Sequence, residues 1–213
     1  DQWSWLCSSL SRHEEAIEAA RRASELDPVA HPSDLGNALL RAGRPEEALA
    51  EAQLAMVAAP SSVRVHSVAG WAKIALGHVA EGIASLERAV ALDPETGFFK
   101  AQLGQALAQN GDVARARQIL AELKADAERE FVSPYTLAYV YTGLGEHDAA
   151  IDCLERAFEL RSGAIYGIGG SHLFAALHGH PRFDALLRRM NLSRASRTKD
   201  GPRRATRGSS PHG

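Results

Sequence analysis

The chain has 213 residues, 45% of them hydrophobic, which is enough to bury a core and too many for wholesale disorder. Its formal net charge of −2 withholds, from the chain as a whole, the electrostatic footprint of a nucleic-acid binder. Two cysteines, Cys7 and Cys153, are too few for a disulfide framework and fit a reducing cytoplasm, and no apolar run approaches membrane-spanning length. No signal-peptide pattern opens the chain, and a start at Asp1 instead of Met reads as a fragment or a processed product.

In chain order, the sequence predicts paired helices. HEEAIEAARRASELDP is the surviving second helix of a shortened first unit, opened by an S-x-x-E capping box at Ser11 and Glu14 and ended by Pro28. The next pair is DLGNALLRAG and PEEALAEAQLAMVAAP, with Gly43 at the turn, Pro45 in the first turn of the second helix and Pro60 as its stop. VHSVAGWAKIALG precedes HVAEGIASLERAVALDP. FFKAQLGQALAQNG precedes DVARARQILAELKADAERE, which lacks a closing proline and runs to about Glu128. SPYTLAYVYTGLG precedes EHDAAIDCLERAFEL. Three ladders of small residues carry one period of 34: Gly36, Gly70, Gly104 and Ala138; Gly43, Gly77, Gly111 and Gly145; Ala48, Gly82, Ala116 and Ala150. A hairpin cannot bury its apolar face alone, so repeated hairpins stack, and the ladders read as core positions.

The combined pattern Leu35, Gly36, Leu39, Gly43, Ala48 and Pro60, repeated as Leu137, Ala138, Tyr141, Gly145, Ala150 and Ala157, resembles the tetratricopeptide repeat family from Asp1 to about Leu160. Lys73, where the family usually has an aromatic, and Leu123, in place of the usual Ala, depart from it. The resemblance implies an all-α, right-handed superhelical array. Its units are a truncated one at 1–28 and full ones at 29–62, 63–96, 97–130 and 131–162, followed by a capping segment at 163–192. It also implies that the first helix of each hairpin lines a concave face that binds a protein or peptide. On that face it places Asn37, Trp71, Gln105 and Tyr139 as one stripe, extended by Trp5, and Ser33, Ser67, Ala101 and Tyr135 as the next, flanked by Arg41, Arg64 and Gln102. The amides suit a peptide backbone, and the aromatics suit an interface anchor. The two-carboxylate clamp of chaperone adaptors is disfavoured, because Ser33 and Asn37 lack the required Lys.

After Leu160 the rhythm is expected to stop. RSGAIYGIGGSH reads as a loop, HLFAALHGH as one or two helical turns, and PRFDALLRRMNL as a short capping helix. The run from Ser133 to Gly163, with HPRFDALLRRMNL, resembles the ends of repeat regions in bacterial multidomain signalling proteins. There the upstream part is commonly a serine/threonine kinase, a transcription regulator or a nucleotide cyclase. Residues 193–213 hold Arg194, Arg197, Lys199, Arg203, Arg204 and Arg207 against Asp200 alone, a net of +5 that leaves −7 for the rest. They read as a disordered basic tail, with weak contact to nucleic acid or an acidic partner as its alternative use.

No catalytic signature emerges. GIGG lacks the Lys-Ser/Thr of a phosphate loop, and His172, His178 and His180 lack the spacing of a zinc site, so neither cofactor nor metal is expected. The expectation is a non-enzymatic cytoplasmic scaffold, with self-association through Trp3, Trp5 and Leu6 of the truncated unit as a further possibility to test.

Overall fold

The computed structural model describes residues 2–10, 12–27, 30–129 and 132–192, and of residues 2 and 5 the backbone only. The expectations placed on Ser11, Pro28, the Trp5 side chain and the tail at 193–213 lie outside the described residues. Those described form helices and no strand. Five hairpins follow one another: α1 Gln2–Ser9 with α2 His13–Leu26, α3 Asp34–Arg41 with α4 Pro45–Ala58, α5 Val63–Ala75 with α6 Val79–Leu92, α7 Gly97–Gln109 with α8 Val113–Arg129, and α9 Pro134–Gly143 with α10 His147–Glu159. The long fourth second helix is α8, at 17 residues. No described helix is long and apolar enough to cross a membrane.

The turn within each hairpin has one solution. Gly43, Gly77, Gly111 and Gly145 hold φ between 74° and 93°, a region in which a side chain is strained. The next residue's N–H then reaches back to close the helix end: Arg44 to Leu39 O (2.9 Å), His78 to Lys73 O (2.9 Å), Asp112 to Leu107 O (2.9 Å) and Glu146 to Tyr141 O (3.0 Å). The other two ladders are core. Ala48, Ala116, Ala138 and Ala150 are fully buried, and a Cβ on Gly36 would stand 2.7 Å from Val68 of the following hairpin. On the outer surface, ion pairs link successive units, Arg115 to Glu87 and Arg117 to Glu146, both at 2.7 Å.

At the start of α2 the described N-cap residue, Arg12, makes no side-chain cap and pairs with Glu15 instead. The same pair recurs as Arg44 with Glu47, 32 residues on, because the linker before α3 is two residues shorter than those after it.

The path after α10 departs from the repeat. The residues that follow α4 and α6, Ala59 and Asp93, have φ near −140° and lead straight to the next first helix. After α10 the sequence has Arg161-Ser162-Gly163 where α4 has Ala59-Pro60 and α6 has Asp93-Pro94. Arg161 takes φ 53°, and Ser162 N–H closes the helix on Ala157 O. The chain turns off into two 3-10 stretches, Gly163–Gly170 and His172–Leu177, before α11 Pro181–Arg189 packs on α10. The 34-residue rhythm nevertheless has one more beat than the sequence suggested. Gly179, 34 residues after Gly145, has φ 87° and precedes α11.

Candidate functional site

The first helices α3, α5, α7 and α9 form the inner wall of the array. An open cleft of about 1100 Å³ lies against them. Seven of the nine side chains expected to bind a partner line it: Asn37, Arg41, Arg64, Ser67, Gln102, Tyr135 and Tyr139. Arg64 and Asn37 are exposed in it, and the Asn37 amide N–H donates to Ser33 O of its own helix (3.0 Å). The other two, Trp71 and Gln105, are inside the wall, 6% and 0% exposed.

The floor of the cleft is a hydrogen-bonded set. Ser67 Oγ (2.5 Å) and Trp71 Nε1 (3.1 Å) both donate to Gln102 Oε1. Tyr139 Oη donates to Tyr135 Oη at 2.7 Å. Burial pushes both phenol pKa values up, that of Tyr139 furthest, so the pair stays neutral; the Arg41 charge partly opposes this. The cations at the cleft are Arg41 and Arg64, and its carboxylates are Asp34, which faces His31, and Asp93.

One wall of the cleft is this chain's own 3-10 region, through Ala164, Ser171, His172 and Leu173. That region crosses the inner face helix by helix. Arg41 Nη1 of α3 donates to Gly167 O (3.1 Å). The His172 ring meets Trp71 of α5 edge-on at 6.0 Å. Gln105 Nε2 of α7 donates to Leu173 O (2.5 Å). The Phe174 ring lies 4.9 Å from Tyr139 and 5.7 Å from Tyr135 of α9. Gly170 passes so close to α1 that a Cβ there would sit 1.9 Å from Ser8 O. The His172 pKa is pushed down to about 4, first by desolvation and then by the Arg41 charge, although the residue is exposed at the groove surface. Solvent still reaches the ring, which moderates the first effect.

Gly167, His172, Leu173 and Phe174 were not among the sequence-derived site residues. Their signal was present but unplaced: an apolar Leu-Phe pair beside a glycine run, where no proline closes the preceding helix. The three clustered histidines go to separate places. His172 is in the groove, His178 stacks edge-on against Phe183 at 5.3 Å, and His180 opens α11 facing Asp148 at 3.4 Å.

Two models of the tetratricopeptide repeat match, one over residues 9–63 and 68–130 and the other over 135–163. No curated protein matches the chain. Solved structures of similar fold include a thermophilic TPR protein of Thermus thermophilus, TTC0263, at 20% identity over 79% of this chain and 92% of that one, with a TM-score of 0.56. A tetratricopeptide repeat protein of Parabacteroides merdae is 16% identical over 88% and 79% of the two chains, with a TM-score of 0.46. MamA of Desulfovibrio magneticus RS-1 is 19% identical over 82% and 98%, with a TM-score of 0.43. The first of these shares the array of helical hairpins, and the first family model alone spans more than half of the sequence. This chain therefore belongs to the tetratricopeptide repeat family, whose fold is that of a protein-interaction scaffold.

Proposed function

We propose that this chain is a non-catalytic scaffold that holds an extended peptide or a protein segment on its concave face. The observation that carries the reading is the lining of the 1100 Å³ cleft. Amides and hydroxyls from Asn37, Ser67 and Gln102 can bond a peptide backbone, Arg41 and Arg64 can meet a carboxylate, and Tyr135 and Tyr139 offer an aromatic floor. A photo-crosslinking residue at Arg64, set against one at Leu54 on the exposed outer side of α4, tests it. Partner adducts from position 64 alone are the expected result. Adducts from position 54 alone would move binding to the outer face.

The resemblance of residues 133–163 and 180–192 to the repeat ends of bacterial signalling proteins supports a place in the cytoplasm as the regulatory part of such a protein. The alternative is an appendage of a kinase, a cyclase or a transcription regulator encoded upstream. The reading frame before Asp1 decides between these.

Self-association has its own support. Trp3 is 52% and Leu26 88% exposed around a hollow of about 820 Å³ on the first hairpin. Light scattering over a hundredfold range of concentration tests this. An invariant monomer mass would remove the idea.

A further inference from the structure

The contacts between the groove and residues 163–177 have the form by which a groove holds a ligand. Side chains of the wall take hold of backbone carbonyls: Arg41 that of Gly167, and Gln105 that of Leu173. The contacts run in order along four successive first helices, with carbonyl bonds from α3 and α7 and ring contacts from Trp71 of α5 and from α9, where Phe174 covers the Tyr135–Tyr139 pair. The stretch has no α-helical ladder of its own and consists of 3-10 turns.

One group in this arrangement is left incomplete. Gln105 is 0% exposed, and while its Nε2 donates to Leu173 O, its Oε1 has no hydrogen-bond partner. A buried carboxamide is satisfied by a backbone that presents both a carbonyl and an N–H. Leu173 cannot supply the second, because its N–H is turned to Ser171 Oγ at 3.3 Å within the 3-10 turn. An extended peptide at the same place would offer both groups.

Resting on the reading that the concave face binds a partner, we infer that residues 163–177 occupy that partner's site in cis. The displacing ligand is an extended peptide that seats an aromatic side chain over Tyr135 and Tyr139 and gives Gln105 both backbone groups. The cleft beside Ser171 and His172 is then the open end from which such a peptide enters.

Native-state hydrogen exchange on the full chain tests the first part without any substitution. The amides of 165–178 are expected to open in a step separate from, and at least a hundredfold more frequent than, that of α7 and α9. Exchange of both only through global unfolding would overturn the inference. The second part uses a fluorescein-labelled synthetic peptide of residues 162–178 as the probe. Full-length Phe174→Ala, with helicity intact, is expected to bind it at least tenfold more tightly than wild type, and a peptide carrying Phe174→Ala is not expected to bind. Equal affinity for the variant and wild type would overturn the proposal. If Phe174→Ala does not fold, exchange on the wild type decides. Partner adducts at position 64 with 165–178 still protected as long as α7 would overturn this inference and leave concave-face binding standing.

Discussion

Gly70 and Gly82 meet backbone to backbone where α5 lies against α6: a Cβ on Gly70 would come within 2.9 Å of Gly82 O, and one on Gly82 within 2.7 Å of Gly70 O. This reciprocity explains why both ladders hold glycine in this unit, whereas α9 and α10 carry Ala138 and Ala150. Gly82→Ala is expected to lower stability. Alanine's better helix propensity returns up to about 1 kcal/mol, and forcing the helices apart costs about 1–3 kcal/mol, with Ile74 Cγ1 at 2.5 Å adding to the crowding. Urea unfolding checks the sign. A stabilised Gly82→Ala would mean that this crossing can spread freely.

Phe174→Ala is expected to act locally. The ring is fully buried against Tyr135 and Tyr139, and its removal takes away the largest apolar contact of the 3-10 region. Truncating a buried Phe in a rigid core costs about 3–5 kcal/mol. Here the loss is limited to the docking energy of the segment, so a smaller drop is expected, with new protease cleavage confined to residues 163–180. Cleavage spread over α5 to α9 as well would show that the segment is integral to the core.

Acidification is expected to loosen the same region. The His172 pKa is pushed below the ordinary imidazole value, so the unfolded state takes up the proton first. The contribution of the neutral ring is therefore complete above about pH 6.5 and falls as the pH drops toward 4. Arg41 is the charge that faces the ring, and it opposes protonation as well. The difference in urea midpoint between wild type and His172→Gln should narrow from pH 7.5 to pH 4.5. A constant difference would show that the proton on His172 is not linked to folding.

Cys153 is expected to be a slow nucleophile. Burial first, and Asp152 second, raise its thiol pKa to about 11, against a smaller pull from Lys124. At pH 8 about one thiol in a thousand is then ionised, and iodoacetamide labelling should speed up roughly tenfold per pH unit up to pH 10. A rate that levels off near pH 9 would place the thiol in water.

How far the fold could be read from the sequence depended on whether the information repeats. The 34-residue ladders determined the hairpins, their turns and their stacking, because each turn needs the positive φ that Gly43, Gly77, Gly111 and Gly145 adopt, and each helix crossing needs a small side chain. The family resemblance, with helical spacing, gave the nine expected groove residues, and seven of them line one cleft. The stretch beyond Leu160 occurs once, and a single occurrence has no register to count from. Whether GAIYGIGGSHLF lies outside the array or crosses its inner face depends on the exit direction at Arg161. It depends equally on how tightly the array curls, since curvature brings Ser8 and Arg41 within reach of Gly170 and Gly167. Curvature sums small rotations over five hairpins, and no single residue encodes it. For that reason Trp71 and Gln105, expected on the inner face, are found under this chain's own backbone, a relationship that only the tertiary structure decided.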